Sequence, residues 1–221
     1  MRTKHFKNQD DLITALYHEI SVKITLSIRE FGDARILLSG GGTPKLLYKK
    51  LSAAPIDWSK VIIGLVDERD VPLESEFSNE RMLHEVFISS INEGLTILSM
   101  ADNNKTIASL EKAYEPFFER IDYCLLGMGE DGHTASLFTN DKASEASLRS
   151  SEKNVIFTSA PSVPVRRISC SHGLITSSMS IGLMIMGEKK LSVLNDAEEN
   201  SLPIGYFTRM CQQLTTYYSQ L

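Results

Sequence analysis

Five short apolar runs set what this chain can fold into. They are ARILLS (Ala34–Ser39), VIIGLVDE (Val61–Glu68), IDYCLLGM (Ile121–Met128), NVIFTSA (Asn154–Ala160) and IGLMIMG (Ile181–Gly187). Each is too short and too evenly apolar for a surface helix, and reads as a buried strand. TILSM (Thr96–Met100) is a sixth, shorter candidate. Between the runs the spacing becomes helical. Asp10–Phe31 places Leu12, Leu16, Ile20, Ile24 and Ile28 four residues apart, with Asn8 or Asp10 as cap and Gly32 as stop. Thr43 caps a helix that begins at Pro44, and Ser78 opens another with Met82, Leu83, Val86 and Phe87 inward. Asn104–Arg120 is helical by pattern, bent or ended by Pro116. Lys189–Asn195 begins a further helix, and the chain after Pro203 reads as a closing one. The polar, Ser-rich stretch Asp141–Asn154 reads as a surface excursion. Strands alternating with helices predict an α/β fold, with residues 1–221 as a single domain. The expected architecture is Rossmann-like: a mostly parallel sheet flanked by helices on both faces. Ligands then sit beyond the carboxyl ends of the strands.

Charge and cysteine usage narrow the function. The 28 acidic residues outnumber the 23 basic ones, giving a net charge of −5. That argues against a nucleic-acid or anionic-membrane binder, which shows a basic field. No apolar run approaches the length of a membrane span, and the N-terminus lacks the apolar core of a signal peptide. Cys124, Cys170 and Cys211 are an odd, widely spaced set without CxxC, so neither a disulfide framework nor a zinc site is expected. A reduced, cytoplasmic protein follows, with Cys124 as a core thiol.

Four polar segments follow or flank the strands. Leu125–Phe138 reads LLGMGEDGHTASLF: a strand, a glycine-rich turn and the expected start of a helix. Within it, Asp131 stands two residues from His133 and can set its tautomer. His133 is then either a base for water or a cap of the next helix. Ser39–Thr43 (SGGGT) lets backbone N–H groups approach an anion, yet matches neither GxxxxGK[ST] nor GxGxxG, so a bare strand-to-helix turn is the competing reading. Asp67-Glu68-Arg69 ends a strand, which aims Arg69 at an oxyanion or phosphate unless the triplet is a solvated turn; Asp67 and Glu68 either hold Arg69 in place or lie in the sheet's polar rim. Arg166, Arg167, Lys189 and Lys190 can reach the same edge or lie solvated. GxSxG and HExxH are absent, and the histidines lack ligand spacing, so a serine nucleophile and metal hydrolysis are both poorly supported.

Taken together, LSGGGTP (Leu38–Pro44), DERDVP with SNERML (Asp67–Leu83) and LLGMGEDGHTASLF resemble the 6-phosphogluconolactonases, with weaker matches at RRIS (Arg166–Ser169) and GEKK (Gly187–Lys190). That family belongs to a wider group that includes the glucosamine-6-phosphate deaminases. The deaminases typically continue after DGH with Phe-Asn-Glu-Pro, where this chain has Thr134-Ala135-Ser136-Leu137-Phe138. The resemblance implies hydrolysis of 6-phospho-D-glucono-1,5-lactone to 6-phosphogluconate, without cofactor or metal, in the pentose phosphate pathway. It implies His133 as general base, Asp131 orienting His133 or substrate, and Arg69 meeting developing charge or substrate. Gly40, Gly41, Gly42, Thr43, Arg167 and Lys190 would hold the substrate, chiefly its phosphate. Gly42 stands where the family usually carries Ser. The implied partner is a small phosphosugar lactone, with no nucleic acid and no membrane, and the implied state is a monomer. A sugar-phosphate isomerase or deaminase, or a non-catalytic sugar-phosphate sensor, are the alternatives.

Overall fold

The computed structural model describes residues 2–100 and 106–220. Its strands are β1 (Arg2–Phe6), β2 (Ala34–Leu38), β3 (Val61–Leu65), β4 (Asp67–Arg69), β5 (Thr96–Ile97), β6 (Tyr123–Leu126), β7 (Val155–Ser159), β8 (Arg166–Cys170), β9 (Ile181–Met186) and β10 (Leu214–Ser219). The helices are α1 (Gln9–Phe31), α2 (Lys45–Ser52), α3 (Asn79–Val86), α4 (Ile88–Asn92), α5 (Ile107–Ala113), α6 (Glu115–Glu119), α7 (Lys142–Leu148), α8 (His172–Thr176), α9 (Glu188–Asn195) and α10 (Pro203–Met210).

Seven strands form one sheet in the order β1-β10-β9-β6-β2-β3-β5, and every pairing in it is parallel. The expected α/β architecture is therefore present. The middle strands are apolar because helices cover both faces, so no residue on them looks outward. Helix α1 shows the local logic. Asn8 accepts from Asp11 N, Gly32 closes the helix in the left-handed region, and Leu12, Leu16, Ile20 and Ile24 are fully buried. Each such side chain contributes about 1.5–3 kcal/mol on burial.

A second sheet, β4-β8-β7, is antiparallel. It corrects the expected single strand Val61–Glu68, which breaks at Val66. Val66 N donates to Leu38 O of the large sheet, while its own carbonyl accepts from Cys170 N of β8. One residue thus hands the chain from one sheet to the other. The apolar run ends at the break: β4 is the charged triplet Asp67-Glu68-Arg69, whose first two residues are nevertheless buried.

Other differences have similar causes. Residues 166–170 form a strand whose two arginines masked it. The expected closing helix ends at Met210, and LTTYYS continues as β10. The N-terminal residues form β1, an edge strand too polar to show apolar alternation. The DGHTASLF segment starts no helix: Ala135 has φ 49°, Thr134 bridges back to Leu137, and the next helix is α7, capped by Asp141. His133 therefore caps nothing. Helix α7 lies in the stretch expected as a surface excursion, and its Ser144 and Ser147 are buried. Helix α2 starts at Lys45, with Pro44 at the boundary and no side-chain cap, in place of capping by Thr43. The expected helix Asn104–Arg120 is two short helices either side of Tyr114, and its first residues, Asn104 and Lys105, lie outside the described residues.

Candidate active site

A cleft of about 380 Å³ opens beyond the carboxyl ends of the central strands. The turn after β2 supplies Ser39, Gly40, Gly41 and Thr43; the turn after β6 supplies Gly127 to Gly129, Asp131 and His133. Asp67 and Arg69 enter from β4, Arg167 from β8, and Lys190 from α9. Eight of the nine expected site residues thus line one space. Gly42 is the exception: it lines an adjoining groove with Lys45, Arg69 and Arg81.

His133 is held on several sides. Its Nδ1 lies 2.5 Å from Asp131 Oδ1, and the same oxygen accepts from the His133 backbone N at 3.2 Å. A carboxylate on Nδ1 fixes the proton there and leaves Nε2 with its lone pair. The Phe138 ring packs on the imidazole, with centroids 4.8 Å apart. The loop closes on itself through Gly129 N to His133 O and Thr134 Oγ1 to Gly127 O. A Cβ at Gly129 would stand 2.3 Å from His133 Cε1 and 2.5 Å from Asp131 Oδ1, so only glycine lets the dyad approach this closely. The hydrogen bond from His133 lowers the Asp131 carboxyl to about 2.

Two arginines face this dyad. Arg69 Nη1 donates to Phe77 O at 2.6 Å, and Arg167 Nε donates to Pro164 O at 2.8 Å. Neither guanidinium has a carboxylate ion-pair partner among the described residues. They sit on paired residues of adjacent strands. Burial, and then the like charge of Arg69, lower the Arg167 pKa. The charges of Asp67 and Glu68 act on Arg167 from beyond ion-pair distance, and two neighbouring cations with no carboxylate bound to them make a seat for an anion. The neighbouring bases are occupied elsewhere. Arg166 pairs with Asp70 at 3.2 Å and lies over the Phe157 ring, while Lys189 pairs with Glu130. Within each basic pair one residue lines the cleft: Arg167 and Lys190.

Several lining residues carried no role in the sequence. Ser136 Oγ donates to Asp67 Oδ2 at 2.6 Å, pinning the histidine loop to β4. Asn79, 4% exposed, donates through Nδ2 to Asp67 O and fills the space where a Cβ on Gly40 would be. Pro161 and Ser162 come from the β7–β8 hairpin. Ser136 and Asn79 stand inside the segments HTASLF and SNERML; the hairpin residues carry no local signal, because only the antiparallel sheet brings them round.

No group of three or more His, Cys, Asp or Glu side chains is placed to hold a metal ion among the described residues. No helix of the described residues is long and apolar enough to cross a membrane.

Comparisons with known proteins agree with this fold. The family described as glucosamine-6-phosphate isomerases/6-phosphogluconolactonase matches residues 7–216. The chain is 34% identical to a 6-phosphogluconolactonase of Pseudomonas putida, over 84% of this chain and 78% of that protein. It is 30% identical to one from Rhizobium meliloti, over 97% of each. The crystal structure of a 6-phosphogluconolactonase from Shewanella baltica superposes with a TM-score of 0.90 at 29% identity, covering 99% of this chain and 97% of that one.

Proposed function

Because the chain belongs to the glucosamine-6-phosphate isomerase/6-phosphogluconolactonase family and is an enzyme of its lactonase branch, we propose that its cleft hydrolyses 6-phospho-D-glucono-1,5-lactone with His133 as general base. The observation that carries the assignment of roles is the His133–Asp131 contact of 2.5 Å facing two guanidinium groups with no carboxylate in ion-pair contact. Asp131 holds the proton on Nδ1. Nε2 takes a proton from water as the water attacks the C1 carbonyl. Charge develops on the carbonyl oxygen inside a cleft lined by cations. The tetrahedral intermediate collapses, His133 returns the proton to the departing ring oxygen, and 6-phosphogluconate forms. Arg69, Arg167, Lys190 and the turn Gly40–Thr43 hold the 6-phosphate, which positions the carbonyl through binding energy remote from it. Gly42 then shapes the turn from its outer side.

A δ-lactone is already activated, so one base with electrostatic support suffices, and no covalent intermediate is required. The whole chain acts as one domain, a monomer working in the cytoplasm. Rapid mixing with 6-phosphogluconolactone, following proton release above the spontaneous rate, tests the reading. No excess rate would overturn it, and ammonia release from glucosamine 6-phosphate would favour the deaminase instead.

A further inference from the structure

Glu68 is fully buried, and it is absent from the cleft lining. Strand alternation explains both facts. Asp67 and Arg69 point into the cleft, so the residue between them points to the opposite face of β4. There its carboxylate meets the start of α3. Oε1 accepts from Arg69 N at 2.7 Å and Asn79 N at 2.9 Å; Oε2 accepts from Glu80 N at 2.7 Å and Ser78 Oγ at 3.0 Å. Ser78 Oγ accepts in turn from Arg81 N. The first three N–H groups of α3 are thereby all satisfied, two of them by Glu68. No cation stands within ion-pair distance of Glu68 among the described residues. Burial raises its carboxyl pKa, while the four donors pull it back.

These bonds reach both halves of the anion seat. One holds the backbone of Arg69 directly. Another holds Asn79, whose side chain bonds Asp67 O and packs against Gly40 of the glycine turn. Chain 70–77 leaves β4 and returns at α3, and Glu68 ties its two ends together. Arg69 crosses the same loop to reach Phe77 O.

We propose that Glu68 is a positioning residue that sets Arg69 and the glycine turn at the spacing a phosphate requires, while leaving the His133 dyad untouched. This rests on the lactonase reading for its kinetic readout, but the anion seat is testable without turnover. The decisive variant is Glu68→Gln. It keeps the volume, but one carboxylate oxygen becomes an NH2 that faces at least one backbone N–H, so at least one of the four bonds is lost, the Ser78 hydroxyl being able to accept where the backbone cannot. Inorganic phosphate is the probe, titrated by calorimetry into wild type and variant. The dissociation constant is expected to rise about tenfold, with KM for the phosphorylated lactone rising in step and kcat changing less than about threefold. Ser78→Ala, which leaves the three backbone donors in place, is expected to give a smaller rise, about threefold, in the same two quantities. Unchanged phosphate affinity in both variants overturns the proposal. So does an equal loss of kcat and affinity in the folded proteins, which marks general destabilisation, and so does failure of wild type to bind phosphate. If Glu68→Gln does not fold, Ser78→Ala decides alone. A wild type that binds phosphate yet does not open the lactone sinks the lactonase reading and leaves the calorimetric arm standing.

Discussion

The two walls of the cleft are held in opposite ways. The His133 dyad is a local structure: Asp131, Gly129, Thr134 and Phe138 all lie within nine residues of one another in sequence, and the bonds that set the dyad itself, Asp131 to His133, Gly129 N to His133 O and Thr134 to Gly127 O, stay inside that loop. The arginine wall is assembled from afar. Arg69 depends on α3, Arg167 on the β7–β8 hairpin, and the two meet only because β4 leaves the parallel sheet. A reactive dyad needs one tight distance, which a short loop can supply. An anion seat needs cations held apart from carboxylates, and that takes separate elements with rigid backbones. Ser136 joins the walls: its Oγ donates to Asp67, its N donates to Ser169 Oγ, and its carbonyl accepts from Thr158 Oγ1.

If the division holds, damage to the local wall appears in kcat and damage to the assembled wall in KM. His133→Ala is the largest break. It removes the base and is expected to lower kcat by about 10³-fold, with KM little changed. Stopped-flow proton release, corrected for spontaneous opening, measures it. A variant with wild-type kcat would end the case for His133. Gly129→Ala comes next. Its methyl group would sit 2.3 Å from the imidazole, so the ring must move. Misplacing a catalytic group costs about 10- to 100-fold in kcat, again without a matching rise in KM. A wild-type rate would show that the dyad tolerates more motion than its packing indicates.

Arg167→Ala tests the other wall. Losing charge-assisted bonds to a phosphate costs about 1.5–3 kcal/mol, so KM should rise roughly 10- to 100-fold while kcat falls less. A fall in kcat with KM unchanged would mean that the arginine acts on the transition state and not on the phosphate.

The same division decides what could be read from the sequence. The parallel strands were legible because buried β-structure writes itself as short apolar runs, and the histidine loop was legible because its partners are contiguous. The switch at Val66 was not, since the strand beyond it is three charged residues, Asp67–Arg69, which carry no strand signal of their own although Asp67 and Glu68 are buried. Strand β8 hid behind Arg166 and Arg167, whose charges suggest surface until β4 is seen to pair with them. The helix expected after Phe138 fails for a local reason: Ala135 turns through positive φ so that Ser136 can reach Asp67. Whether Arg166 or Arg167, and Lys189 or Lys190, faced the site depended on counter-ions, Asp70 and Glu130, supplied by other elements.

The smallest effect separates stability from rate within the local wall. The Asp131 carboxyl sits at about 2 in the folded protein. An unfolded aspartate titrates near ~3.9. The folded state therefore holds the ionised form more tightly, and the stabilisation is complete above the unfolded value. As pH falls from about 5, the unfolded chain takes up its proton first, and the contribution drains away by about pH 2. Asp131 is half exposed, so solvent screening limits the whole effect to about 1 kcal/mol or less. Urea denaturation of wild type and Asp131→Asn across this range isolates it, because titrations common to both proteins cancel in the difference. The gap between them is expected to be constant above pH 5 and to close towards pH 2. A gap that stays open at low pH would show that the Asp131 side chain stabilises the loop by packing rather than by its charge. The dyad would then serve catalysis alone, and the loop would owe its shape to Gly129, Thr134 and Phe138.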